Sequence, residues 1–264
     1  MFTISAAQLD ALLLAYVFPL VRVMSFLATA PIFNNIGLPK RVKLVVALAV
    51  GVAVAASLPP QNLGSPGSYI GLAVMAQQLM IGVGMGFAMR IVFATLDVAG
   101  ELTGLQMGLS FATFFDPQSN GQTAVIAEII GIVVSLIFLA LNGHLMMINV
   151  LAHSFEWLPI SPQPIHAEGW LMLARGGSVI FATGLLVALP VVAALLITNL
   201  SLAVLTRAAP QLNLFAVGFP ITSTVGIAVL WLSLPALAGV LEGVFDQGFE
   251  GMAMLTRVWA SGHP

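Results

Sequence analysis

Apolar residues along this chain fall in long blocks. Six of them meet or approach the ~20 residues that a membrane-spanning helix needs: residues 8–30, 42–58, 71–95, 123–150, 176–202 and 212–238. The breaks are rich in polar residues, Gly and Pro: Pro31 to Lys43, Leu58 to Gly67, Gly104 to Gln122, Pro159 to Glu168 and Arg207 to Asn213. No heptad or low-complexity repeat interrupts this order. The pattern predicts an all-α, polytopic membrane protein with about six long apolar helices.

One break differs from the rest. The stretch GLQMGLSFATFFDPQSNGQ (104–122) is too short to span and too apolar for a solvated loop. Irregular backbone at membrane depth survives only when it is buried in protein or lines an aqueous cavity, so a re-entrant or plug-like segment fits. An interfacial loop anchored by Phe is the plainer alternative. In the plug reading Met107, Phe111, Phe114 and Phe115 make a deformable apolar seal, because Met fills irregular gaps and apolar constrictions gate by dewetting. Asp116 and Pro117 end the segment and turn the chain into the next helix.

A helical pattern from Gly71 to about Gly108 poses a length problem, since 38 residues at 1.5 Å each reach about 57 Å, against ~30 Å of hydrocarbon. Two solutions are open: a break between Arg90 and Gly100, or a helix enclosed largely by protein. The same region is crowded with glycine. Gly82, Gly84 and Gly86 are followed by Gly100, Gly104 and Gly108, and the latter set recurs every four residues, the spacing of a face on which helices pack closely.

Composition agrees with the pattern. Of 264 residues 59% are hydrophobic and 7% charged, with mean hydropathy +1.06, where soluble domains carry about a quarter charged residues. Eight basic and ten acidic residues give a net charge of −2, and no basic tract or stripe points to nucleic acid. Without cysteine there is no disulfide, thiolate metal site or thiol nucleophile. The opening MFTISAAQLD lacks the positive charge of a signal peptide, so the first block reads as a retained span. With the N-terminus outside, Lys40, Arg41, Lys43, Arg90 and Arg207 fall on the inner side, and Arg175 and Arg257 on the outer, as cytoplasmic enrichment of Lys and Arg requires. Residues 242–264 read as an amphipathic or partly inserted tail whose side stays open.

Chemistry-bearing constellations are sparse. His153 and Glu156 stand at i and i+3, but two ligands fall short of the three of a catalytic zinc site, which leaves a polar helix end. Asp97 and Glu101 share a helical face, either as a hydrated helix end or as a buried ion relay. Arg22 sits inside the first span, where it must find a partner in another subunit or snorkel. No metal site, cofactor site or catalytic set emerges, and the chain reads as a non-enzyme.

Several segments together resemble the FliR family, the flagellar R subunit of type III export gates. They are Thr29-Ala-Pro-Ile-Phe33 with Leu38-Pro-Lys-Arg-Val-Lys43, Ala99-Gly-Glu101 leading into Gly104 to Pro117, Phe138-Leu-Ala-Leu-Asn-Gly-His144, and Ala209-Pro-Gln-Leu-Asn213 with Gly218-Phe-Pro220. The resemblance implies a subunit of the gate in the bacterial inner membrane, at the flagellar basal body. There one R subunit assembles with five P and four Q subunits, beside the switch protein FlhB, to pass unfolded export substrates. It also implies a P-like region over 1–165, a Q-like helical hairpin with tail over 166–264, and a pore plug at Gln106 to Pro117. In the family much of the gate rises above the bilayer, which relieves the length problem. An ion-coupled small-solute transporter built on Asp97 and Glu101 is the competing reading; a lipid-modifying enzyme lacks its catalytic groups.

Overall fold

The computed structural model describes residues 6–33, 37, 39–59, 67–109, 125–209 and 214–261, with side chains from 15 in the first helix and from 217 in the last. Seven helices and no strand lie among the described residues: α1 Ala6–Thr29, α2 Lys40–Ser57, α3 Tyr69–Gln106, α4 Val125–Ala140, α5 Gly143–Trp157, α6 Glu168–Ala208 and α7 Leu214–Ser261. The chain is therefore all-α.

Most ends have local causes. Pro39, at φ −56°, precedes α2, and its carbonyl accepts from the amides of Val42 (2.9 Å) and Lys43 (3.2 Å); proline suits a helix start because it brings no amide to satisfy. Pro59 follows the last turn of α2 and cannot continue it. Helix α6 opens on Glu168 and carries Arg207 in its last turn, both favourable to the helix dipole. Pro190 in α6 and Pro220 and Pro235 in α7 do not end their helices, as is common in apolar helices where neighbouring groups compensate the lost bond.

One feature decides between two sequence readings and two depart from them. Helix α3 is a single helix of 38 residues, about 57 Å, so of the two solutions to its length the break between Arg90 and Gly100 is absent. The block at 123–150 is two helices, because Asn142 at φ 57° ends α4 and starts α5; Asn tolerates the left-handed region, and the Asn142-Gly143 pair was the available signal. The tail is no separate amphipathic helix: α7 runs 48 residues to Ser261, and Met252, Leu255, Val258 and Trp259 are buried.

By length and composition, three helices can each cross a membrane: α3, α6 and the 217–261 part of α7; counting α4 and α5 as one broken span makes four. Among the described residues these spans do not include α2, which has Lys40, Arg41 and Lys43 in its first turn, or the apolar run Ala15–Thr29 of the 24-residue α1. Only 22% of the apolar window of α6 and 11% of that of α7 is buried, against 56% for α3. Helices α6 and α7 therefore need lipid or other protein to cover them.

The chain forms two compact units. The first comprises Met1–Ile91, Asn142–Gly176 and Asp246–Pro264; the second comprises Val92–Leu141 and Gly177–Phe245. In the first, α1 packs on α2, and Trp259 lies against Gly84, Gly169 and the ring of Trp170 at 5.1 Å. In the second, Phe93, Phe138 and Phe245 meet with centroids 4.9–5.9 Å apart, inside the range of favourable aromatic pairs.

Candidate functional site

The glycines assign the close contacts. A Cβ on Gly82 would run into Ser25 Oγ and the carbonyl of Arg22, and would stand 3.0 Å from the amide of Phe26. One on Gly86 would strike Thr29 Oγ1 and come within 2.9 Å of the Phe26 carbonyl. Gly82 and Gly86 on α3 thus face Ser25 and Thr29 on α1, small residue against small residue at the same spacing of four, so the backbones approach closely. Thr29 Oγ1 also donates to its own helix at Ser25 O (3.0 Å) and Phe26 O (3.1 Å), which satisfies the hydroxyl without widening the seam. Gly100 makes a different contact: its Cβ would lie 2.5 Å from Ala127 Cα on α4. These partners all belong to the same chain.

Gly104 and Gly108 divide in role. Gly104 is buried, whereas Gly108 has φ 81° and ends α3. The amide of Leu109 donates to Gly104 O (3.2 Å) and that of Gly108 to Leu105 O (3.1 Å), the paired bonds of a Schellman cap. Gly108 is there for its left-handed backbone, not as a third member of a packing face.

Arg22 is fully buried, and its partners correct both alternatives drawn from the sequence. Nε donates to Gln78 Oε1 (2.7 Å), Nη1 to Ser154 O and Oγ (3.1 and 3.2 Å), and Nη2 to Leu158 O (2.9 Å). The guanidinium lies 4.1 Å from the ring centroid of Phe155. It neither snorkels nor awaits another subunit; it ties α1 to α3 and to the end of α5. Asp97 and Glu101 are exposed on α3.

The start of the 104–122 segment is anchored. Met107 is 1% exposed and packs with Ile126, Val191 and Leu195, and its carbonyl accepts from the buried Thr222 hydroxyl at 3.0 Å. The Met107 side chain, expected at a pore axis, is therefore committed to the core of the second unit. Gln106, the last residue of α3, is half-buried. Phe111, Phe114, Phe115, Asp116 and Pro117 lie outside the described residues.

His153 and Glu156 border one cavity, and among the described residues no group of three His, Asp or Glu side chains is placed to hold a metal. The sequence reading missed Gln78, Ser154 and Thr222. Gln77-Gln78 was the available signal, two amides in an apolar helix that have to be satisfied when buried; Gln77 Nε2 donates to Gln163 O at 2.9 Å.

Comparison with known proteins fits a chain of this kind. The profile of "Bacterial export proteins, family 1" matches residues 13–248. The flagellar biosynthetic protein FliR of Escherichia coli (strain K12) is 42% identical over 253 residues, 96% of this chain and 97% of that protein. FliR of Pectobacterium carotovorum subsp. carotovorum is 44% identical over 247 residues, 93% of this chain and 94% of its own. FliR of Bacillus subtilis (strain 168) is 26% identical over 245 residues, 91% of this chain and 94% of its own. With its long apolar helices and the glycine-rich α3 falling inside these matches, the chain belongs to the family of flagellar biosynthetic protein FliR, within the bacterial export proteins.

Proposed function

We propose that this membrane-embedded subunit of the flagellar export apparatus helps to form, and with its 104–122 segment to close, the pore through which unfolded flagellar proteins leave the cell. The observation that carries this reading is the near-complete match to FliR, which includes the whole of that segment. The exposed apolar faces of α6 and α7 suit an assembled subunit, since lipid or neighbouring helices must cover them.

In this reading the chain is not an enzyme. It sits in the inner membrane at the basal body, one copy with five P and four Q subunits and beside FlhB. Residues 1–165 take the P-like role, and 166–264 the Q-like one. Phe111, Phe114 and Phe115 are the side chains proposed for the seal, with Asp116 and Pro117 ending it. Met107 and Thr222 hold its base.

Deleting Ser110 to Phe115 is expected to make the assembled gate conduct ions at rest, because an apolar constriction that excludes water is lost. Planar-bilayer recording on the assembled complex reads this directly. Unchanged conductance would remove the seal from these residues.

A further inference from the structure

The chain passes between its two compact units four times: from Ile91 to Val92 in α3, Leu141 to Asn142 between α4 and α5, Gly176 to Gly177 in α6, and Phe245 to Asp246 in α7. We propose that the last three crossings form a hinge about which the two units move as separate bodies, while α3 flexes as a continuous strut. Neither membership of the export family nor the proposed gate assigns a moving joint to this subunit.

Each of the three has a backbone feature suited to bending. Between α4 and α5 the helix is already interrupted, because Asn142 stands at φ 57°. The α6 crossing falls inside the run Gly176-Gly177-Ser178 of a continuous 41-residue helix. Gly176 has a packing reason, since an added Cβ would lie 2.7 Å from Ile91 Cδ1; α6 thus comes close to α3 where both leave the first unit. Gly177 has none: nothing lies within 4 Å of its Cβ position. The same openness is found at Gly239 and Gly243, within two turns before the α7 crossing. Glycine weakens a helix relative to alanine by freeing its backbone, Gly and Ser pairs are where helices kink, and hinges are a few, often small residues that absorb the backbone change. Each unit is also fastened within itself. The Arg22 hydrogen bonds, the Gly82 and Gly86 seam and the Trp259 notch lie in the first unit, and the Phe93, Phe138 and Phe245 rings, the Gly100 contact with Ala127 and the Thr222 bond to Met107 in the second. Motion at the crossings leaves all of these contacts intact. On the gate reading it carries the base of the 104–122 segment with the second unit, a consequence that rests on that reading, whereas the hinge itself does not.

The chain has no cysteine, so pairs of nitroxide labels can be placed on introduced cysteines alone. Distances are read by pulsed electron resonance on the full chain in detergent, at Val45 and Tyr69 of the first unit and Phe181 and Trp231 of the second, all well exposed. The Val45→Cys/Tyr69→Cys and Phe181→Cys/Trp231→Cys pairs each report within one unit. Val45→Cys/Phe181→Cys and Val45→Cys/Trp231→Cys report between units. The between-unit distance distributions are expected to be wider than both within-unit ones. Gly177→Ala with Gly243→Ala, where the added carbon meets nothing, is expected to narrow the between-unit distributions and leave the within-unit ones as they were, because alanine makes local unwinding costlier. Gly131→Ala, equally open but inside α4 and away from every crossing, should change neither. Between-unit distributions as narrow as the within-unit ones, no narrowing with the two alanines, or equal narrowing with Gly131→Ala would each overturn the hinge. The conductance recording tests the gate reading separately, so either can fail without the other.

Discussion

Replacing Gly82 by leucine is expected to give a chain that is destabilised by about 3 kcal/mol or more, with the thermal midpoint in detergent lower by on the order of 10 °C. The first added carbon already meets the backbone carbonyl of Arg22 and the Ser25 hydroxyl on α1. A backbone atom cannot rotate away as a side chain can, so α1 and α3 must separate and the surrounding contacts loosen with them. The contrast is Gly177→Ala in α6, where nothing lies within 4 Å of the new carbon. That variant should be neutral, or more stable by up to ~1 kcal/mol through reduced backbone freedom in the unfolded chain. Equal thermal midpoints for the Gly82 and Gly177 variants would refute the seam.

The second large effect is at Arg22. Arg22→Leu keeps most of the volume but removes the donors to Gln78 Oε1, Ser154 and Leu158 O in a site with no water access. Ser154 is partly spared, since its carbonyl still accepts from Leu158 N (2.9 Å) and its hydroxyl still donates to Leu151 O (2.6 Å). The Gln78 and Leu158 oxygens are the stranded ones. At ~1–3 kcal/mol for each unsatisfied buried group, the loss is on the order of 3 kcal/mol. Arg22→Lys should rescue little, because one ammonium cannot reproduce a planar fork aimed at α3 and α5 together. Denaturation of the purified variants in detergent measures this. Adding Gln78→Leu to Arg22→Leu should cost less than the sum of the two single changes, since the second removes an acceptor the first left unpaired; strict additivity would show that Arg22 and Gln78 do not act as a pair.

How much of this was legible in the sequence varies by residue. The apolar blocks gave the helices and most of their breaks, because Pro39, Pro59 and the Pro159–Pro164 cluster act within a residue or two of where they stand. Asn142 was overlooked because hydrophobicity continues across it, although the backbone does not. The extent of α6 and α7 was underestimated for the opposite reason: polar residues such as Glu168 and Glu242 look like ends until a neighbouring surface makes the helix worth continuing. Spacing placed Gly82 and Gly86 on a packing face but could not distinguish α1 of the same chain from another subunit. It also miscast Gly108, whose backbone angle no spacing rule contains. The partners of Arg22 come from residues 56 to 136 positions away, beyond the reach of any local pattern. Met107 belonged to an apolar run that suited either a seal or a core; Ile126, Val191 and Leu195 decide for the core.

The central claim, that this chain is a single-copy subunit of the flagellar export gate, is tested most directly by weighing it in company. The full chain, tagged and expressed with its native membrane partners, is purified in mild detergent and its complex measured by native mass spectrometry. The expected result is one copy of this chain with several copies each of two other helical membrane proteins. A solitary chain or a homodimer of intact, folded protein would contradict the claim.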